Sequence, residues 1–234
     1  MDSPYTVAAL SPIRMVIAAR MTEAKRSIPH FRIVADIEID ALVRLRQELR
    51  ARNPSEPLSL NDMIVKACAV ALMENPGINI QWADSEIRQF RRADISVVIA
   101  LQDGLSTPII RSAESKTIWE ISRDMRELIS RANRNALKMN EIIGGSFSLS
   151  NLGMYGVDQF DAIINPPQCA ILAIGAGKLR VIASKGCSTR IATLMRVTLS
   201  VDHRAIDGVT AAKFMATLTQ RLEAPEHMIP EGAT

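Results

Sequence analysis

The chain is poor in several residues that many functions need. Only 4% of its 234 residues are aromatic, and histidine occurs three times. A core must therefore be filled by Leu, Ile, Val, Ala and Met, which the hydrophobic content of 47% supplies. The cysteines, Cys68, Cys169 and Cys187, are odd in number, form no C-x-x-C pair and lie in or near apolar stretches. This argues against a disulfide framework and predicts reduced, buried thiols in a cytoplasmic protein. Charge of one sign is also scarce: 28 basic against 25 acidic residues leave +3, so composition gives no general argument for nucleic acid. No apolar run reaches the roughly 18 residues of a membrane span. The start, "MDSPYTVAALSPIR", lacks a basic segment followed by an apolar one, so no signal peptide is predicted. Repeats, low-complexity stretches and Pro- or Ala-rich linkers are missing, which predicts one domain over residues 1–234.

What is present is periodicity. Ser11 and Pro12 form a cap and first-turn pair, and Ile13, Val16, Ile17, Met21 and Ala24 follow at helical spacing. "HFRIVADIEID" alternates as a half-buried strand, after which Asp40 is expected to cap a helix to about Arg52. Ser59 with Asp62, and Thr117 with Glu120, have capping-box spacing at the starts of two further helices. "INIQWA" and "EIRQFRR" flank a polar turn as a hairpin; "ISVVIAL", "GGSFSLSNLG", "QCAILAIGA", "KLRVIA" and "RIATLMRVTLSV" predict strands. A last helix is expected from Asp207 to about Glu223. Helices, hairpins and long strands in this order are not the regular alternation of a doubly wound sheet. They predict an α+β fold, a mixed sheet with helices packed against it.

Chemistry concentrates in "TLSVDHRAIDG", Thr198 to Gly208. His203 stands where an apolar strand gives way to a helix, and histidine is the general base that needs least tuning near neutral pH. Asp207, four residues on, suits either a helix cap or a partner for a nearby arginine. Upstream, Ser148, Ser150 and Asn151 end a strand beside a Gly-rich turn, where a hydroxyl can donate to an oxyanion or simply satisfy the backbone. The arginines of "LVRLRQELRAR" fit a solvated helix face or a phosphate contact.

Several of these segments, "PHF", "LSLND", "DGLSTPII", "GGSFSLSNLGMYGVDQFDAIINPPQ" and "LSVDHRAIDG", occur in the order found in dihydrolipoamide acyltransferases. From about Ser11 to Glu223 the chain resembles the catalytic cores of these proteins in 2-oxo acid dehydrogenase complexes. The resemblance implies a chloramphenicol acetyltransferase-like fold, a two-layer α/β sandwich working as a homotrimer with its active site between subunits. It implies His203 as general base, Ser150 from the neighbouring subunit as oxyanion donor, and Asp207 as a structural residue paired with Arg14 or Arg204. It implies contacts to coenzyme A from Arg46, Ser59, Asn151 and Gly175. Coenzyme A and lipoamide are then co-substrates, lipoyl domains on other chains are partners, and no metal, nucleic acid or membrane is called for. His30 is expected to be a packed structural histidine.

Two departures stand beside the resemblance. No lipoyl or peripheral-subunit-binding domain is present in the sequence, and "LEAPEHMIPEGAT" offers only Met228 and Ile229 as apolar anchors. The second predicts a trimer that does not close into a cage. The competing functions are a free-standing acyltransferase with another acceptor and a non-catalytic core scaffold, against which His203 and Ser150 together argue. Peptide-synthetase condensation domains carry two adjacent histidines, whereas here Asp202 precedes His203.

Overall fold

Side-chain oxygens start most of the long helices. A computed structural model describes residues 4–101, 104–184 and 188–228. Ser11 accepts from the Arg14 N–H (3.3 Å) at the start of α1 (Pro12–Ser27). Ser59 and Asp62 exchange reciprocal bonds of 3.2 and 2.8 Å before α3 (Leu60–Glu74), and Thr117 and Glu120 do the same, at 3.2 and 2.8 Å, before α4 (Ile118–Asn133). Asp207 accepts from the Thr210 N–H (2.7 Å) ahead of α5 (Gly208–Glu223). Each bond satisfies one of the donors that a helix start leaves unpaired.

The strands are β1 (His30–Glu38), β2 (Ile80–Ala83), β3 (Glu86–Gln89), β4 (Ile95–Leu101), β5 (Gly104–Ser106), β6 (Ile109–Ile110), β7 (Phe147–Asn151), β8 (Ala170–Ala183) and β9 (Thr189–Asp202). The described residues form a seven-stranded sheet of order β1-β9-β8-β7-β4-β5, with β6 also on β4; β2 and β3 make a separate hairpin. The pairs β4–β7 and β7–β8 are parallel and the other pairs antiparallel, so the sheet is mixed, as the α+β expectation required. One face buries Ile37, Val197, Leu199 and Val201 against Phe214 and Leu218 of α5 and Ile64 and Leu72 of α3. Phe147 of β7 meets Phe214 with ring centroids 5.6 Å apart. A smaller cluster of Ala24, Ile28, Ile164 and Ile171 forms separately from this core. No helix among the described residues is long and apolar enough to cross a membrane.

Two local expectations change. Asp40 does not cap its helix. The cap of α2 (Asp40–Arg52) is Ile39, without a side-chain bond, and the Asp40 carboxylate accepts instead from the Thr193 N–H (3.1 Å). The Ile39 N–H also donates to the Thr193 carbonyl (2.9 Å), so the strand beside it captures the helix start. "QCAILAIGA" and "KLRVIA" are one strand, β8, with a register shift between Ile174 and Gly177. Its sequence changes character there because it runs from the buried sheet into an exposed ribbon. The apolar face of α1 is largely uncovered: only Ala24 is buried, while Ile13, Met15 and Val16 are exposed. Cys187 and the last six residues of the tail, from Ile229 on, lie outside the described residues.

Candidate active site

The end of β9 is built to present a histidine. The Asp202 N–H donates to the Cys169 carbonyl (2.8 Å), which completes the strand. The Asp202 carbonyl then accepts from the N–H groups of Ala205 (3.0 Å) and Ile206 (2.9 Å), turning the chain before Asp207 opens α5. His203 sits on this turn with its side chain exposed. Its N–H donates to the Pro29 carbonyl (3.0 Å), and its ring meets the Phe31 ring edge-on at 4.9 Å. Among the described residues nothing hydrogen-bonds its ring nitrogens.

His30 is the contrast. Its Nε2 accepts from the Ile164 N–H (3.1 Å), so Nδ1 carries the proton and donates to the Ile28 carbonyl (2.8 Å). Both nitrogens are committed to structure, and the ring can take no proton from a substrate without breaking a bond.

Asp207 has no arginine partner among the described residues. The Arg204 guanidinium lies on Asp202 instead, with Nε–Oδ1 at 3.0 Å and Nη2–Oδ2 at 2.7 Å. Arg14 contributes its backbone N–H to Ser11 and forms no ion pair among the described residues. The physical reason is burial. Asp202 is 1% exposed and needs charged donors, whereas Asp207 is spent on the helix start. The Thr210 N–H and hydroxyl, helped by the Val209 N–H, hold the Asp207 carboxyl below its ordinary value.

Ser150 occupies a different place. It lines a cavity of about 700 Å³ together with Ser59, Asn61, Asn151 and Tyr155, walled by apolar groups such as Val97, Ile99, Met125 and Ile129. The Ser150 hydroxyl makes no hydrogen bond among the described residues. Ser148, two residues earlier on the same face, is buried and donates to the Gln168 side chain. Asn151 is oriented from both ends: its Oδ1 accepts from the Gly153 N–H (2.8 Å) and its Nδ2 donates to Asn61 (3.2 Å). A free hydroxyl at the wall of a largely apolar cavity can donate to a developing oxyanion.

His203 does not line this cavity. Ser150 pairs with Ala173, which pairs with Thr198 on β9, five positions before His203 on the following turn. Two strand spacings across and five residues along place the two backbones roughly 19 Å apart. One subunit does not bring its own histidine to its own serine.

Of the residues expected to hold coenzyme A, Ser59 and Asn151 line the cavity, while Arg46 and Gly175 do not. The Arg46 Nε is buried without a hydrogen-bond partner among the described residues. Gly175 is packed so tightly that a Cβ would stand 2.1 Å from the Asp158 carbonyl oxygen. The lining also includes Arg50, one of the arginines of "LVRLRQELRAR" that fit a phosphate contact, which lies four residues from Arg46 on the same helix face. Asn61, Arg126 and Tyr155 line it as well, without a role expected from sequence. Asn61 and Tyr155 lie in the segments that also hold Ser59 and Ser150, whereas Arg126 arrives from α4 and carries no such signal.

The fold is of the chloramphenicol acetyltransferase class. A solved chloramphenicol acetyltransferase superposes with a TM-score of 0.53 over 87% of this chain and 94% of its own, at 15% identity, a likeness of fold alone. Residues 2–230 match the family of 2-oxoacid dehydrogenases acyltransferase (catalytic domain), and the chain belongs to that family. The crystal structure of a probable dihydrolipoamide acetyltransferase from Listeria monocytogenes is similar over 99% of this chain and 98% of that one, with a TM-score of 0.90 and 29% identity. The dihydrolipoyllysine-residue acetyltransferase component of the pyruvate dehydrogenase complex of Rickettsia felis is 42% identical over 228 residues, covering 96% of this chain and 55% of that protein. The chain spans about half the length of the curated relatives it matches.

Proposed function

We propose that this chain transfers an acyl group between dihydrolipoamide and coenzyme A by direct thiol–thioester exchange in a homotrimer. His203 of one subunit takes the thiol proton. The thiolate attacks the thioester carbonyl, and the Ser150 hydroxyl of the neighbouring subunit donates to the oxyanion. Collapse expels the second thiolate, which recovers the proton from the imidazolium. No cysteine nucleophile is needed, and burial pushes the Cys169 thiol up to about 12 and the Cys68 thiol higher still. Those buried, reduced thiols support a cytoplasmic setting. Arg50 at the cavity supplies a rigid fork of donors for a phosphate-bearing ligand. The relatives' names make acetyl the acyl group to test first.

The separation of the cavity from His203 within one chain carries this reading. Exposed apolar side chains on α1 and on the β8–β9 ribbon (Leu179, Val181 and Ile191) support self-association. The test has two arms. Acetyl-coenzyme A and dihydrolipoamide should exchange their acyl group in the presence of the chain, and no exchange would overturn the activity. Inactive His203→Ala and Ser150→Ala proteins, unfolded and refolded together, should regain up to about a quarter of wild-type activity as mixed trimers. No recovery would place both groups in one subunit.

A further inference from the structure

The turn that carries His203 is held by a bracket with no role in the proton transfer just described. Asp202 ends β9 with its side chain buried. Its carboxylate accepts three donors from a single residue: the Arg204 backbone N–H (3.0 Å), Nε (3.0 Å) and Nη2 (2.7 Å). The guanidinium therefore folds back across the turn. It also stacks on an indole, with Cζ 4.7 Å from the centroid of the Trp82 ring. Trp82 belongs to the β2–β3 hairpin, distant in sequence, and its backbone N–H donates to the Pro167 carbonyl (2.9 Å). An arginine with a buried carboxylate on its edge and an aromatic ring against it has little freedom left.

His203 lies between the two ion-paired residues. Closing Asp202 onto Arg204 fixes the peptide planes on both sides of its Cα. A second anchor acts on the same residue. The His203 N–H donates to the Pro29 carbonyl, and the segment around Pro29 is held by the two ring bonds of His30. The imidazole is left exposed with both nitrogens unengaged among the described residues.

We propose that Trp82, Arg204 and Asp202 form a positioning device for the His203 imidazole, aiming the ring away from its own subunit with its nitrogens free. The inference rests on the proposed role of His203 as base. None of the three touches the reacting atoms. Their effect is geometric, and a displacement of about 1 Å at a reacting group can cost roughly a hundredfold in rate. Lysine at position 204 would keep the charge but lose both the fork and the stacking plane.

The test uses the full chain with Trp82→Leu, Trp82→Phe and Arg204→Lys. Leucine keeps apolar bulk and removes the ring; phenylalanine restores the ring. Trp82→Leu and Arg204→Lys should each lower kcat roughly a hundredfold per folded subunit, with KM for coenzyme A within about twofold, and Trp82→Phe should recover most of kcat. Because the chain has three histidines, the imidazole resonances can be followed individually by NMR. The His203 signal should move in Trp82→Leu while that of His30 stays. Equal kcat for the leucine and phenylalanine variants, or an unmoved His203 signal, would overturn the inference. A wild-type chain without acyl transfer would defeat the proposed function but not this inference, since the His203 signal is read without substrate.

Discussion

The ends of β9 and β7 belong to one sheet and are built by opposite means. At the end of β9 the turn itself is closed by groups near in sequence, Asp202 with Arg204, the Asp202 carbonyl with Ala205 and Ile206, Asp207 with Thr210, and is braced from outside by Pro29 and Trp82. The result is a polar turn that pushes one ring outward. At the end of β7 the surroundings come from far apart, with Ser59 and Asn61 from the start of α3, Met125 and Ile129 from α4 and Val97 from β4. The result is a largely apolar cavity with the Ser150 hydroxyl unengaged among the described residues. A base needs access to a proton, whereas an oxyanion donor gains strength from exclusion of water. The two environments suit the two tasks proposed for them.

That contrast can be broken most severely at the base. His203→Ala should fold, because the ring is exposed, and should lose acyl transfer by roughly a hundred- to ten-thousandfold. Retention of a third of wild-type turnover would remove His203 from the chemistry. At the cavity, Ser150→Ala should lower kcat by about a hundred- to a thousandfold with little change in either KM. A large rise in KM at normal kcat would make Ser150 a binding residue.

Ser148→Ala sharpens the comparison within β7 itself. Its hydroxyl is bonded to Gln168, so removal leaves a buried acceptor without that donor. The expected cost is about 1–3 kcal/mol of stability by denaturant unfolding, with kcat reduced far less than in Ser150→Ala. The reverse ranking would mean that the roles of the two serines have been exchanged.

A smaller effect is expected at Asp207. Its carboxyl lies below the ordinary value because it accepts from the Thr210 N–H. A group depressed on folding contributes stability above its unfolded pKa, near 3.9, and that contribution is lost as pH falls through the lower folded value. Asp207→Asn keeps a good capping side chain, so it should flatten this acid limb of the unfolding profile while leaving neutral-pH stability nearly unchanged. A large loss at neutral pH would point to an ionic partner after all. The smallest effect is at the thiols. Cys68 and Cys169 should resist alkylation at pH 8 in the folded protein and react once it is unfolded.

The His203 end was largely legible from sequence. A strand alternation running into Asp202, His203 and Arg204, then Asp207 and Gly208, fixes a strand, a turn and a capped helix through interactions spanning two to four residues. The capping pairs Ser59–Asp62 and Thr117–Glu120 follow for the same reason. The cavity was only half legible. Ser59, Ser150 and Asn151 came from recognisable segments, but Arg50, Asn61, Arg126 and Tyr155 meet there only because α2, α3, α4 and the turn after β7 converge.

By itself, then, the sequence determined most of the elements, the caps at Ser11, Ser59, Thr117 and Asp207, and the turn that carries His203, since each depends on neighbours along the chain. The tertiary structure decided the rest. It decided which serine is free, because the sheet register sets Ser148 beside Gln168 and leaves Ser150 at the cavity wall. It decided that Arg204 serves Asp202 rather than Asp207, because a buried carboxylate requires charged donors and an exposed cap does not. It decided that His203 and Ser150 stand roughly 19 Å apart in one chain, because two strand spacings and five residues of rise separate them, a distance that no local pattern encodes.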